Sequence, residues 1–240
     1  MRVCLIIPNY NHTKYLDECI QSALNQTYKE IEINVVDDGS NDQESVGNLV
    51  RKYQLSDNRI KYIALKNNTG KWNSLNTCIS ETNCDLITTL DADDTCPRDR
   101  IERQVAVFQS VPGTLHVLSC FHHCWSDAEV TEKTSLLQNG PLSIVGHEDV
   151  RNMVLYGRSQ PGINHYFTGD IETAGASAMF VKQLWDLGLR FNPPRMGLRT
   201  LLSEDSDFNF RVTSLLGRTA ILNEKVYCYR RNTSTNEETY

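Results

Sequence analysis

The residues best suited to chemistry are Asp91, Asp93 and Asp94, three carboxylates within four positions at the end of the apolar run Leu86-Ile87-Thr88-Thr89-Leu90. Carboxylates so crowded repel one another and raise each other's pKa unless a cation or strong donors sit among them. A hard divalent cation, Mn2+ or Mg2+, meets that need. Such ions take oxygen ligands and are often held by one or two protein carboxylates plus the phosphates of a substrate. The competing reading is an acidic turn after a strand, with Asp93 or Asp94 capping the next helix. The rest of the chain separates the two.

The elements that must position these carboxylates alternate strand and helix. Val3 to Ile7 is a continuous apolar run, the pattern of a buried parallel strand, and an amphipathic helix follows from Thr13 to Asn25. Strands at Glu30 to Val36, Ile60 to Leu65 and Leu86 to Leu90 alternate with helices at Gln43 to Tyr53, after Gly70, and at Asp99 to Gln109. This alternation predicts an α/β fold with a mostly parallel, Rossmann-like central sheet flanked by helices. Each of the four strands is followed by a polar cluster: Asn9 and Asn11, Asp37 and Asp38, Asn67 and Asn68, Asp91 to Asp94. In open α/β sheets ligands bind outside the carboxyl ends of the strands, so the four clusters are expected to share one crevice. Polar βα loops explain any one cluster; four aligned ones are harder to explain that way.

Past residue 110 the pattern loosens. Val117 to Cys124 reads as a strand, Val150 to Tyr156 as a short helix and Ser159 to Asp170 as an irregular loop. Gly175 to Val181 reads as a strand followed by a short helix to Leu187, and Arg190 to Leu198 as a Pro-containing loop. A helix opens at Leu201-Leu202-Ser203-Glu204-Asp205, and Ala220 to Tyr229 is a last strand. The expected organisation is one domain over 1–240, with a donor half at 1–110 and an acceptor half at 111–240.

Composition narrows the partners. The 240 residues are 40% hydrophobic and 22% charged with a net charge of −6, which lacks the Lys and Arg excess that nucleic acid demands. No stretch of about 18 apolar residues is present to span a membrane, and the N-terminal run is too short for a signal peptide. The expected location is the cytoplasm, with peripheral membrane association compatible. Eight scattered cysteines suit a reducing compartment. The cluster Cys120-Phe121-His122-His123-Cys124 invites a zinc reading, but it continues an apolar run and reads better as a half-buried strand.

No Gly-rich phosphate loop and no Gly-x-Ser-x-Gly elbow occurs, so phosphates would be held through a metal. With Asp37 or Asp38 able to accept from a ribose hydroxyl or a base N–H, a nucleotide diphosphate suits the crevice. The series Pro8-Asn9-Tyr10-Asn11, Gln26-Thr27-Tyr28, Val35-Val36-Asp37-Asp38-Gly39-Ser40, Asn68-Thr69-Gly70 with Asn76, and Leu90-Asp91-Ala92-Asp93-Asp94 resembles a family 2 glycosyltransferase of the GT-A fold. The likeness continues through Gly175-Ala176-Ser177, Glu204-Asp205 and Tyr229-Arg230-Arg231. It implies a nucleotide-sugar donor, with uridine as the expected base, a glycan or glycoconjugate acceptor, polysaccharide biosynthesis and inversion at the anomeric carbon. It places a metal, Mn2+ or Mg2+, on Asp93, with Asp94 assisting through water. The sugar-donor residues it implies are Pro8, Asn9, Tyr10, Asn11, Asp37, Asp38, Asn68, Gly70, Lys71, Asn76, Asp91 and Ala92. Asp205, beside Glu204, is the expected base. Two departures stand out: Leu75 precedes Asn76 where many relatives carry a basic residue, so that contact to the diphosphate is either absent or supplied by Lys71, and Asn232 stands where relatives often carry His.

His165 and Tyr166, in the long loop, and Trp185 are acceptor candidates. Trp72 and Trp125 are further aromatic faces, all three tryptophans being more often core, and Arg195 and Arg199 could meet a phosphorylated acceptor. Two other classes remain. A nucleotidyltransferase would want a Gly-rich basic loop where Pro8-Asn9-Tyr10-Asn11 stands, and a non-catalytic nucleotide-sugar binding module would not need the acids at 91, 93 and 205.

Overall fold

The computed structural model describes residues 1–150, 165–168, 171–196 and 201–231. The first half alternates β1 (Val3–Asn9), α1 (Thr13–Leu24), β2 (Ile31–Asp37), α2 (Gln43–Gln54), β3 (Ile60–Ala64), α3 (Lys71–Glu81), β4 (Leu86–Thr89) and α4 (Arg100–Ser110). The second half contributes β5 (His116–Cys124), α5 (Asp127–Thr134), β6 (Ile144–Val145), β7 (His165–Thr168), β8 (Ile171–Ala174), a 3-10 turn at Gly175–Ser177, β9 (Met179–Val181) and α6 (Gln183–Asp186). It ends with β10 (Arg195–Met196), β11 (Leu201–Leu202), α7 (Glu204–Leu216) and β12 (Thr219–Arg230).

Strand β1 is wholly buried because both of its faces are covered. Val3, Leu5 and Ile7 pack into one core with the apolar sides of α1 and α2, while Cys4 and Ile6 pack into a second with Leu75, Cys78 and Ile79 of α3 and Phe208 and Val212 of α7. That is why its sequence is continuously apolar rather than alternating. The sheet order is β3-β2-β1-β4-β9-β5-β12-β6, with β8 also on β5 and β7 on β8. Pairs β3/β2, β2/β1, β1/β4 and β5/β12 are parallel, while β9 runs antiparallel to both β4 and β5. Strands β5 and β12 therefore point the same way as β1 to β4, and the carboxyl ends of all six open along one edge.

The structure corrects several expectations in the second half. Residues 165–168, read as irregular loop, form a strand whose His165 pairs with Ala174 and Tyr166 with Thr173. Gly175–Ser177 is a buried 3-10 turn, so the expected strand begins only at Met179. Helix α5 was not expected, although Ser126 caps it by accepting from Glu129 N. Leu201–Leu202 pair as a short strand with Arg195–Met196, and the helix starts at Glu204. The stretch expected as a helix from Val150 to Tyr156 lies beyond residue 150 outside the described residues.

The loop after β2 fits against the loop after β3 through Gly39. Its φ of 71° is left-handed, and a Cβ there would stand 2.6 Å from the Asn67 carbonyl carbon and 2.7 Å from Asn68 N, both rigid backbone. Gly39→Ala should lower the unfolding free energy by at least about 1–3 kcal/mol, the usual cost of such strain. Urea denaturation measures it, and an unchanged midpoint would show that the two loops separate without cost.

Candidate active site

The four polar strand ends form one hydrogen-bonded crevice. At the end of β1, Asn9 is buried and its Nδ2 donates to Asp37 Oδ1 at 2.7 Å and Ser40 Oγ at 3.2 Å. Asn11 adopts a left-handed φ of 58°, and its Oδ1 accepts from Asn41 N at 2.9 Å. Pro8 is buried beneath this turn and Tyr10 is exposed beside it. The end of β2 therefore closes onto β1 through side chains.

Asp37 and Asp38 divide the work that the sequence left shared. Asp37 accepts from Asn9 and Ser40 Oγ on Oδ1 and from Gln43 Nε2 at 2.8 Å and Ser40 N at 3.3 Å on Oδ2. A carboxylate offers about four acceptor positions, so Asp37 is filled by Asn9 of β1, Ser40 of its own loop and Gln43 of α2. Asp38 accepts from Thr69 N and Oγ1, each at 2.9 Å, and from Gly70 N at 2.7 Å. It has room for one more donor, and it fixes the loop after β3, where Asn68 is exposed and its Oδ1 also accepts from Gly70 N at 3.0 Å.

Gly70, with φ of 94°, turns the chain into α3, and the first residue of that helix is Lys71. Its ammonium lies 2.7 Å from Asp91 Oδ1 and 3.3 Å from Glu204 Oε1. Burial works against that charge, but the carboxylates of Asp91, Glu204 and Asp205 outweigh it and hold Lys71 well above the ordinary lysine range. Burial raises Asp91, Lys71 opposes, and the nearby Asp93 adds to the rise. Glu204 is likewise raised by burial against the pull of Lys71. One cation thus joins the end of β4 to the start of α7.

The three aspartates after β4 face three ways. Asp94 is buried, with Oδ1 accepting from Arg230 N and Oδ2 from Tyr227 OH, both at 2.7 Å. Burial, then the charges of Asp93 and Asp91, push it well above the usual carboxylate range. It braces β12, which corrects its expected place beside a metal. Asp93 is half-buried, and its Oδ2 lies 3.9 Å from His12 Nδ1. Ala92 packs in the core, so its side chain is not a lining group. Arg100, fully buried on α4, donates to Thr88 Oγ1 at 2.9 Å and Thr89 O at 2.8 Å and lies over the Tyr227 ring, steadying the strand that carries the aspartates.

On α7, Asp205 Oδ1 accepts from Ser203 Oγ and from Ser206 N at 2.6 Å. Ser203 makes no side-chain cap of its own, so the carboxylate takes the free amide of the first turn. Asp205 Oδ2 rests against Gly175, where a Cβ would come within 2.7 Å. Asn209, one turn on, donates from Nδ2 to Gly175 O at 3.0 Å and accepts at Oδ1 from His116 Nε2 at 2.9 Å. That imidazole is pushed down to about 4 by burial.

Other expected residues lie elsewhere. Asn76 commits both ends of its amide to the Phe191 backbone, at 2.8 and 3.0 Å, and serves the join between α3 and the segment after α6. Trp185 is buried beside Phe180, Phe191 and Phe208 under the Arg190 guanidinium, which corrects its reading as an acceptor face. Arg230 is buried and bonds Asp93 O at 2.9 Å, Glu18 and Asp127. The side chains of His165, Tyr166 and Arg195, and residues Arg199 and Asn232, lie outside the described residues. His12 and Tyr227 were not read from the sequence. No local pattern marks either, since each acts on a residue distant in the chain.

Among the described residues no three His, Cys, Asp or Glu side chains form a ready metal cage. The oxygens of Asp93 fit a hard cation whose remaining ligands arrive with a diphosphate, as Mg2+ and Mn2+ commonly are held. The eight cysteines are all free and buried. No helix of the described residues is long and apolar enough to cross a membrane.

The fold has relatives among solved structures. The structure resembles that of Staphylococcus aureus TarS residues 1–349 in complex with UDP-GlcNAc, with a TM-score of 0.69 and 19% identity, over 100% of this chain and 62% of that one. It also resembles the mannosyltransferase PcManGT from Pyrobaculum calidifontis in complex with GDP-Man and Mn2+, with a TM-score of 0.65 and 18% identity, over 97% of this chain and 58% of that one. The fold is GT-A. Residues 4–170 match the family described as Glycosyl transferase family 2, and the chain belongs to that family. Among curated relatives, glycosyltransferase GlyG of Streptococcus pneumoniae is 37% identical over 100 residues, 42% of this chain and 33% of its own length. Chondroitin synthase of Escherichia coli is 27% identical over 193 residues, 79% of this chain and 24% of its own length. The chain thus spans a third or less of either relative.

Proposed function

We propose that this chain transfers a sugar from a nucleotide-diphosphate sugar, with UDP as the expected carrier, to a hydroxyl of a glycan or other acceptor, with inversion and with the help of a divalent cation. The observation that carries this reading is the Lys71 ammonium between Asp91 and Glu204. It brings the acids at the end of β4 and the acid pair of α7 to one point, as a single displacement between donor and acceptor requires.

Asp38, with one acceptor position left, takes the base or ribose end of the nucleotide, over the turn made by Pro8, Asn9, Tyr10 and Asn11. Asp91 faces the donor ribose or sugar, and Lys71 supplies positive charge where the diphosphate lies. Asp93 would hold the cation, which would offset the charge developing on the leaving diphosphate. Asp205 takes the proton from the acceptor hydroxyl as its oxygen bonds to the anomeric carbon and the bond to the diphosphate breaks. The family membership of the chain supports this reading. The two halves, 1–110 for the donor and 111–240 for the acceptor, follow the same division.

The test is a panel of nucleotide sugars with Mn2+ or Mg2+, read by thermal shift and by release of free nucleotide. At least one UDP sugar should raise the melting temperature with metal and lose that effect with EDTA. If no nucleotide sugar does so with either ion, the reading fails; if binding occurs without turnover under any acceptor, a binding module replaces it.

A further inference from the structure

At the end of β5 the indole of Trp125 is 62% exposed. The main chain that carries it is fixed: Trp125 N donates to Glu129 Oε2 at 2.6 Å, and Ser126 next to it caps α5. Beside it, Arg231 follows β12, its own N donating to Cys124 O at 2.8 Å. The guanidinium lies 5.6 Å from the Trp125 ring and 4.7 Å from the Tyr229 ring. Its Nε and Nη2 donate to His123 Nδ1 at 2.9 and 2.7 Å. A guanidinium can only donate, so His123 is the Nε2–H tautomer and adds no charge.

Two of the five guanidinium N–H groups are thereby used and the rest remain. Among the described residues no carboxylate pairs with Arg231, whereas neighbouring Arg230 is paired with Glu18 and Asp127. An arginine fixed in orientation and paired with no carboxylate among the described residues, next to an exposed indole, is a built site for an anionic group attached to a ring. Its position is also defined. Arg230, the residue before Arg231, donates from Nε to the Asp93 carbonyl at 2.9 Å. The site therefore adjoins the aspartates but lies past β9, on the far side of β4 from the nucleotide loops of β1 to β3.

We infer that Trp125 and Arg231 form the acceptor subsite and take a sugar carrying an anionic group, its ring on the indole and its carboxylate or phosphate on the guanidinium. This inference rests on the proposed glycosyl transfer. The opposing source of the same chemistry is the donor diphosphate, and the experiment separates them.

The probes are methyl β-glucuronide, glucose 6-phosphate and neutral methyl β-glucoside, titrated calorimetrically into the full chain holding UDP and Mn2+. An anionic sugar should bind about tenfold more tightly than the neutral one, and Trp125→Ala and Arg231→Gln should each lose about tenfold. Trp125→Phe should retain part of the affinity. UDP-sugar binding should stay within about twofold of the parent in all three, and circular dichroism checks that each folds. Equal affinity for neutral and anionic sugars, or no binding of either anionic probe, overturns the inference. So does a matching loss of UDP-sugar affinity, which would assign the pair to the donor. Failure of the unaltered chain to bind any nucleotide sugar would instead remove the proposed function.

Discussion

An Asp205→Asn protein should bind nucleotide sugar and metal as the parent does and lose about 10²–10⁴-fold in the rate of transfer, the usual contribution of a positioned base. The substitution is close to isosteric. The amide oxygen can still accept from Ser203 Oγ and Ser206 N, so the first turn of α7 keeps its contacts. What disappears is the ability to take a proton at the second oxygen, the one resting over Gly175. Glu204 is the competitor, and the geometry separates them: Glu204 Oε1 faces the Lys71 ammonium, which disfavours proton uptake, while Asp205 makes no ion pair among the described residues. Transfer rates under saturating donor decide between them. If Asp205→Asn transfers at the parental rate and Glu204→Gln does not, the roles are reversed.

The first half was legible because each of its βα units carries two independent signals, an apolar run too continuous for an exposed strand and a polar cluster where it stops. The boundaries of β1 to β4 and of α1 to α4 fall within a few residues of those read from the chain. The second half was harder for identifiable reasons. Helix α5 buries only Val130, so it has no apolar stripe. Its one signal was the Ser126-x-x-Glu129 spacing, a capping-box pattern in which the structure uses Glu129 to hold the Trp125 amide. The turn at Gly175–Ser177 is buried yet small and polar, its Ser177 Oγ donating to Ser119 O at 2.7 Å, and short apolar periodicity does not distinguish it from a strand.

Within the site, sequence could propose which acids matter but not how they share the work. Asp37 and Asp38 are adjacent and alike; only the count of donors around each shows one filled and the other with a place left. Asp94 repeats Asp93 by type, yet Tyr227 and Arg230 turn it inward. Trp125 and Trp185 were equally plausible sugar faces by type, and burial separates them: Trp185 is buried and Trp125 exposed. Pairings between residues far apart in the chain leave no local pattern, and most of the correction lies there.

Lys71 is the most consequential of those pairings, and Lys71→Met tests it in the absence of any ligand. Without the ammonium, Asp91 and Glu204 face each other across a partly buried space with no counter-charge. Breaking a buried ion pair from one side costs more than the pair contributes, because the partner stays charged and desolvated. With Lys71 itself 27% exposed, a loss of about 1.5–3 kcal/mol is expected, the range for hydrogen bonds to charged groups. The loss should depend on pH with a definite sign. Burial already raises Glu204 against the pull of Lys71, so removing that pull raises it further. A carboxyl with a raised folded pKa binds its proton more tightly in the native state; its stabilisation is complete below the unfolded value and is lost as pH climbs through the folded one. The deficit of Lys71→Met relative to the parent should therefore be smallest near pH 4 and grow toward neutrality. Adding Glu204→Gln should recover part of it at neutral pH by removing the unpaired charge. Urea midpoints across that range measure both effects, and a deficit that does not change with pH would mean the lysine acts there through its packing alone.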